Sequence, residues 1–355
     1  MLDCANGPPS AAFGDMYKPF DTRGIVPRLP QPPYHMVSRI TDVSTRPGHA
    51  VEGAGVTAEY DVVEDDWYFD DNANEKMPFA VLSEIALQPC GWLASHCGFA
   101  LSGDLRFRNL QGEGNVYREI GRNSGCLTIS SQLTSFSRVG PMTIVNFDVD
   151  VRDATAALMF DLKTQFGFFP AAALARQAGL PAALDFESAF ELPVETIDDA
   201  HIIQHMPRGR MKMIDTVDFF DPIGGQSGLG LMRGRQEVDP HAWYFKAHFF
   251  QDPVQPGSLG LDAICQLLAR AVFMKGLADG MTRPHLETLA TEAPICWTYR
   301  GQVMPDKEMV TTIVEVVAVR KEAGGYLIEG RGSLWSDKLR VYEVKSMSVR
   351  LRDLG

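Results

Sequence analysis

The stretch Trp243-Tyr-Phe-Lys-Ala-His248-Phe-Phe-Gln-Asp-Pro253-Val-Gln-Pro256-Gly257-Ser-Leu-Gly-Leu-Asp262-Ala-Ile-Cys-Gln266 places a histidine, a Pro-Gly turn and a helix-starting carboxylate in one short segment. Gly257 follows Pro256 and precedes a long apolar run, so a loop is expected to turn there into the first turn of a helix. The first N–H groups of a helix have no intrahelical partner. A glycine lets a carbonyl oxygen approach them, which makes Gly257 a candidate donor to a developing oxyanion. Pro253 and Pro256 stiffen the loop that carries His248, as suits a base held in place.

The pattern occurs twice. Trp67-Tyr68-Phe69 in the first half recurs as Trp243-Tyr244-Phe245. Met77-Pro78-Phe-Ala-Val-Leu-Ser-Glu84-Ile-Ala-Leu-Gln88 superposes on Gln255-Pro256-Gly-Ser-Leu-Gly-Leu-Asp262-Ala-Ile-Cys-Gln266, so that Glu84 matches Asp262 and Gln88 matches Gln266. Upstream, Arg39 to Val43 and Met213 to Val217 each open a run of alternating segments. Downstream, Cys126 to Gln132, Met142 to Val151, Val310 to Val319, Tyr326 to Trp335 and Glu343 to Leu351 alternate apolar with polar residues, as half-buried antiparallel strands do. The expected fold is α+β, one long buried helix with a curled antiparallel sheet, repeated in tandem. The expected boundaries are a weakly ordered lead-in over 1–21, a first unit over 22–170, a linker over 171–198 with a short helix over 171–178, and a second unit over 199–355.

The hydrophobic content of 45% supports a large core, and the net charge of −12 argues against a nucleic-acid surface. The cysteines Cys4, Cys90, Cys97, Cys126, Cys265 and Cys296 show no ligand-like spacing and read as reduced thiols. There is no leader pattern and no run of about 18 uninterrupted apolar residues, so the expectation is a cytoplasmic chain with no membrane partner.

The order and separation of His248, Pro256-Gly257 and Asp262 resemble the signature of the FabA-type beta-hydroxyacyl-ACP dehydratases. The run from Met77 through Ser95 is similar to the degenerate first hot-dog of the dehydratase domains in polyunsaturated fatty acid synthases and related polyketide-type multienzymes. The resemblance implies a tandem (double) hot-dog in which the histidine of one half works with the acid of the other. On that reading His248 faces Glu84, Gly257 supplies the amide, and Asp262 belongs to a mirror-related site. That second site is expected to be broken. Its histidine position falls within Asp70 to Asn72, and Phe79 stands where the glycine should be. A glutamate partner is the FabZ pattern and an aspartate the FabA pattern, which puts isomerase activity more in question than dehydration. The implied substrate is a (3R)-3-hydroxyacyl chain on the phosphopantetheine arm of an acyl carrier protein. Other synthase domains are implied partners, a homodimer of double hot-dogs is compatible with the pattern, and no metal or organic cofactor is required. Docking an acidic carrier would need a local basic patch, for which Arg208, Arg210, Lys212, Arg233 and Arg235 are the densest candidate.

Plainer readings stand beside these. Glu84 and Asp262 could simply be acids favoured by a helix dipole, and Asp262 could be the true partner if the halves pack differently. Gln88 and Gln266 could orient the acids or satisfy backbone. Pro256 and Leu261, Ile264 and Leu268, with Leu82, Ile85 and Leu87 in the first half, could line an acyl tunnel or only the core. His201 and His205 lack a third ligand, Gly228 to Gly230 reads as a hairpin turn, and His96 reads as a core histidine. A hot-dog thioesterase and a non-catalytic acyl-carrier docking module are the competing functions.

Overall fold

The computed structural model describes residues 1–22, 25–102 and 104–355. Two short helices, α1 (Asp3–Asn6) and α2 (Pro9–Phe13), precede strands β1 (Arg39–Val43) and β2 (Gly55–Asp61). The short α3 (Trp67–Asp71) and the long α4 (Phe79–His96) follow. Strands β3 (Leu105–Val116), β4 (Cys126–Val139), β5 (Met142–Arg152) and β6 (Leu158–Pro170) complete the first half. Helices α5 (Ala171–Leu174) and α6 (Leu184–Phe190) lead to β7 (Thr216–Asp221) and β8 (Leu231–Glu237). Then come α7 (Trp243–Ala247), α8 (Gly257–Met274), β9 (Pro284–Glu287) and β10 (Pro294–Tyr299). Strands β11 (Met309–Glu322), β12 (Gly325–Ser336) and β13 (Leu339–Asp353) close the chain.

Alternation along the strands fixes which face is covered. In β4, Leu127, Ile129, Ser131 and Leu133 are buried while the residues between them are half-buried or exposed. The strands form one antiparallel sheet in the order β1-β2-β4-β5-β6-β3-β10-β13-β12-β11-β8-β7, with β9 on β13. Reading outward from the centre gives the same sequence of strands in each half, so the order itself displays the duplication. The halves join where β3 pairs with β10, from Gln111 opposite Thr298 to Asn115 opposite Pro294. That pairing removes two sheet edges from solvent. α4 and α8 lie against the covered face and against each other, and almost all of their residues are buried. The fold is a double hot-dog. α8 is long and apolar enough to cross a membrane by length and composition, but it is the buried core helix of the second half.

Three expectations are corrected here. Residues 1–21 are not a loose lead-in: Cys4, Phe13 and Tyr17 are buried, and the Tyr17 hydroxyl donates to the Ser95 carbonyl at 2.6 Å. Phe13 and Phe20 flank the Tyr17 ring, so aromatic burial ties this segment to the end of α4 despite its prolines and polar residues. The helix expected over 171–178 ends at Leu174, and the better-anchored helix of the linker is α6, whose Phe186 packs on Trp335. The third correction concerns the basic patch. Arg233 is fully buried, with Nε on Asp218 at 2.7 Å and its Nη groups on the carbonyls of Ala189, Phe190, Leu192 and Pro193. It satisfies the carbonyls left open at the end of α6 and just beyond it. Arg235 shares Asp218, so neither arginine is offered to a partner, and only Arg208, Arg210 and Lys212 of the five are exposed.

Candidate active site

His248 follows the last turn of α7, where its N–H donates to the Tyr244 carbonyl at 2.8 Å. Its carbonyl accepts from Val254 N–H at 2.8 Å, and Nδ1 lies 3.0 Å from the Val254 carbonyl. A carbonyl can only accept, so Nδ1 carries the proton and Nε2 of the neutral ring keeps a free lone pair. Burial, with the nearby Arg108 charge as a smaller contribution, lowers the imidazole pKa to about 3 against the pull of the Val254 carbonyl. The loop after His248 is pinned by Asp252, which takes two hydrogen bonds from Arg108 at 2.7 and 2.9 Å and pairs with Arg106 at 3.3 Å.

Gly257 is the first residue of α8, with Pro256 at the N-cap. A β-carbon there would come within 2.8 Å of the Tyr299 ring, so only glycine fits. The neighbouring Ser258 hydroxyl donates to Glu84 Oε1 at 2.7 Å, and the Tyr34 hydroxyl lies 3.0 Å from Ser258 Oγ. Gln88 Nε2 donates to Glu84 Oε2 at 3.0 Å. Burial raises the Glu84 pKa above the ordinary carboxylate range, and these two donors only partly offset it. His248, Gly257, Ser258, Glu84 and Gln88 line one cleft enclosing about 950 Å³, its open mouth included. The cleft continues along α4 past Leu87, Gly91 and Ser95 to Phe13, with Phe107 and Phe166 on the sheet side. A histidine from one half and a carboxylate from the other therefore line one cleft beside the first turn of α8.

Asp262 does not line this cleft. It sits in the mirror position, buried, with Gln266 Nε2 on its Oδ2 at 2.5 Å, and burial raises its pKa to about 7. Gln266 also donates to the Met211 carbonyl and accepts from Met213 N–H, as Gln88 does with the Tyr34 carbonyl and Met36 N–H. Each glutamine thus orients its acid and also satisfies backbone, so both readings of these residues hold. Pro256 and Leu261 are absent from the lining as well: Pro256 starts the helix, and Leu261, Ile264 and Leu268 are core. Of the residues expected to bind substrate, Gln88 is the one that faces the cleft, and Leu87 is the apolar residue of α4 that does so beside it.

The mirror position is filled. Asn72 follows α3 as His248 follows α7, and its Nδ2 donates to the Lys76 carbonyl at 2.8 Å, the counterpart of the Val254 carbonyl. Phe79 packs edge-on against Phe160 and near Trp297, where Gly257 leaves space in the other half. Among the described residues no cluster has the makings of a metal site: His205 stacks on Phe273, and His96 stacks on Trp92 with Nε2 3.0 Å from the Thr45 carbonyl. The glycines at 228 and 230 lie in the connection between the paired strands β7 and β8. Ser258, Tyr34 and Tyr299 were not singled out from the sequence. Ser258 stands beside the Pro-Gly turn and opposite Ala80 in the repeat, a hydroxyl present in one copy only, and that difference was the available signal.

The architecture and this constellation place the molecule among double hot-dog proteins with a histidine–carboxylate cleft. Residues 206–345, most of the second half of the chain, match the FabA-like domain family. The chain is 30% identical over 325 residues to a polyunsaturated fatty acid synthase polypeptide of Thraustochytrium sp. (strain ATCC 26185 / S-3), across 82% of this chain and 21% of that protein. It therefore spans about a fifth of the length of that relative. The solved structure of CurJ dehydratase, an inactive mutant in complex with a small compound, shares the fold at a TM-score of 0.50 and 12% identity, covering 90% of this chain and 96% of that one. A variant of the PpsC dehydratase domain from Mycobacterium tuberculosis superposes with a TM-score of 0.49 at 12% identity, covering 88% and 98%.

Proposed function

We propose that the chain is a 3-hydroxyacyl-[acyl-carrier-protein] dehydratase, a hydro-lyase that converts a (3R)-3-hydroxyacyl thioester to the trans-2-enoyl thioester during fatty acid or polyketide assembly. The observation that carries this reading is that His248 and Glu84, from opposite halves, line one cleft with Gly257. Nε2 of neutral His248 takes the proton next to the thioester carbonyl, and the Gly257 N–H stabilises the negative charge that develops on its oxygen. Glu84, whose pKa burial raises, gives its proton to the 3-hydroxyl, which leaves as water as the double bond forms. The imidazolium proton then returns to the Glu84 carboxylate and restores both groups. None of these steps calls on a cofactor. Asp262, which does not line the cleft, has no part in them, so one site per chain is the expectation.

The acyl chain would be delivered by an acyl carrier protein acting with other synthase domains, and it would lie along Leu87, Gly91 and Phe107. The test is to incubate the purified chain with a 3-hydroxyacyl carrier protein and follow the loss of water by mass spectrometry. His248→Ala and Glu84→Gln should abolish the enoyl product, whereas Asp262→Asn should leave it. No product from the parent at any chain length would reject the reading.

A further inference from the structure

Gln255 precedes the Pro256-Gly257 turn and lines the cleft, yet it is only 1% exposed and neither its Nε2 nor its Oε1 has a partner among the described residues. A buried amide left without either hydrogen bond is costly, so a fold has no reason to place one there unless something else completes it. The repeat supplies an internal control. Its counterpart is Met77, which has the same backbone role: Met77 N–H donates to the Ile120 carbonyl at 2.8 Å, as Gln255 N–H does to the Val303 carbonyl at 3.0 Å. In the half where Phe79 fills the space the position is apolar, and in the half with an open cleft it is an amide. The backbone does not need the amide, but the cleft can use it.

A glutamine carries both a donor and an acceptor, so it can answer either the C=O or the N–H of a secondary amide, whereas a thioester carbonyl is an acceptor only. The arm that carries a carrier-bound acyl group presents such an amide a short ethylene spacer from the thioester sulfur. Gln255 stands two positions before the Gly257 N–H that would hold the thioester carbonyl, beside the polar cleft wall of Asn109, Gly301 and Gln302. We propose that Gln255 recognises the thioester-proximal amide of the pantetheine arm through a hydrogen bond. The proposal rests on the dehydratase reading and adds to it a group that recognises the carrier arm.

The experiment compares 3-hydroxyacyl thioesters of pantetheine and of N-acetylcysteamine, which both keep that amide, with the amide-free S-butyl thioester, using the full chain and Gln255→Met. The parent should favour the amide-bearing thioesters. Gln255→Met should lose about threefold to tenfold in kcat/KM on them, through KM, as expected for one neutral hydrogen bond. Its rate on the S-butyl thioester should stay unchanged, which also shows that the variant folds. An equal loss on all three substrates, or no loss on any, would overturn the proposal while leaving the dehydratase reading intact. If the parent dehydrates none of them and no 3-hydroxyacyl carrier protein either, the dehydratase reading fails. Calorimetric binding of the unreactive S-butyl pantetheine thioether, tight in the parent and weakened in Gln255→Met if Gln255 holds the amide, then decides the proposal by itself.

Discussion

Asp262 is a buried acid that the proposed chemistry does not use, and its replacement by asparagine should show what keeping it costs. Burial raises its pKa from 3.8 to about 7 in the folded chain. Below the unfolded value both states hold the proton and the group contributes nothing to pH dependence. As pH rises from there toward 7, the unfolded chain ionises and the folded chain does not, so stability conferred by the neutral acid is progressively lost. The interval is roughly three pH units, and at about 1.4 kcal/mol per unit it amounts to about 4 kcal/mol. Asp262→Asn keeps the shape and can still accept from Gln266, but it has no proton to lose. The variant-minus-parent stability should therefore climb by about 4 kcal/mol between pH 4 and pH 8, and every other titrating group cancels in the difference. With an unfolding entropy of about 2.1 cal/mol/K per residue over 355 residues, that is a relative Tm gain of about 5 °C if the chain unfolds cooperatively. Melting curves of both proteins across this range, in one buffer series, make the measurement. A Tm difference that is flat in pH, or that falls as pH rises, would refute the assignment of Asp262 as a carboxyl held neutral by burial.

Two further outcomes follow from the site. Because the His248 pKa is lowered to about 3 and that of Glu84 is raised, kcat/KM on a stable 3-hydroxyacyl thioester should show no acid limb between pH 5 and 7 and should fall as pH rises through the Glu84 ionisation; an inflection near the ordinary histidine value would count against His248 as the buried base. Ser258→Ala removes one of the two donors to Glu84, which raises the Glu84 pKa further, so the alkaline limb should move to higher pH while kcat falls about tenfold; an unmoved limb would separate Ser258 from the acid.

The fold was legible because its two signals are strong. Alternation along β4 and β5 reads directly as buried and exposed faces, and the repeat of Trp-Tyr-Phe followed by an apolar helix announces the duplication. What stayed hidden depends on partners distant in sequence. Arg233 looked like a surface cation because nothing local says that the end of α6, some forty residues away, will bring its open carbonyls there. The first 21 residues looked loose because the packing of Tyr17 onto Ser95 is a contact between separate segments. The lining of the cleft could not be read from helix periodicity either, since α4 and α8 are buried all round and period alone does not distinguish a side chain facing core from one facing a cavity.

On the proposed reading, the differences between the two halves separate the structural part of the site from the chemical part. The acid–glutamine pair survives in both: Glu84 with Gln88 and Asp262 with Gln266, four residues apart on a helix, and each glutamine also ties down the segment entering its half of the sheet. Removing Gln266 would leave the Met211 carbonyl and Met213 N–H unpaired in the core, so the pair has a reason to persist whether or not the acid reacts. Presence of an acid at this helix position is therefore weak evidence of catalysis. The differences between the copies discriminate better: His248 against Asn72, Gly257 against Phe79, Ser258 against Ala80 and Gln255 against Met77. Each substitution takes from the first copy a group with the chemistry of proton removal, oxyanion binding, acid positioning or amide recognition, and three of the four second-copy residues stand within four positions of one another at the entrance to α8. Grafting histidine and glycine at 72 and 79 should thus fail to create a second site, because Asp262 would still face Ala80 and because losing the buried Phe79 ring costs about 3–5 kcal/mol; dehydration surviving in that double variant after His248→Ala would show that the remaining differences do not matter.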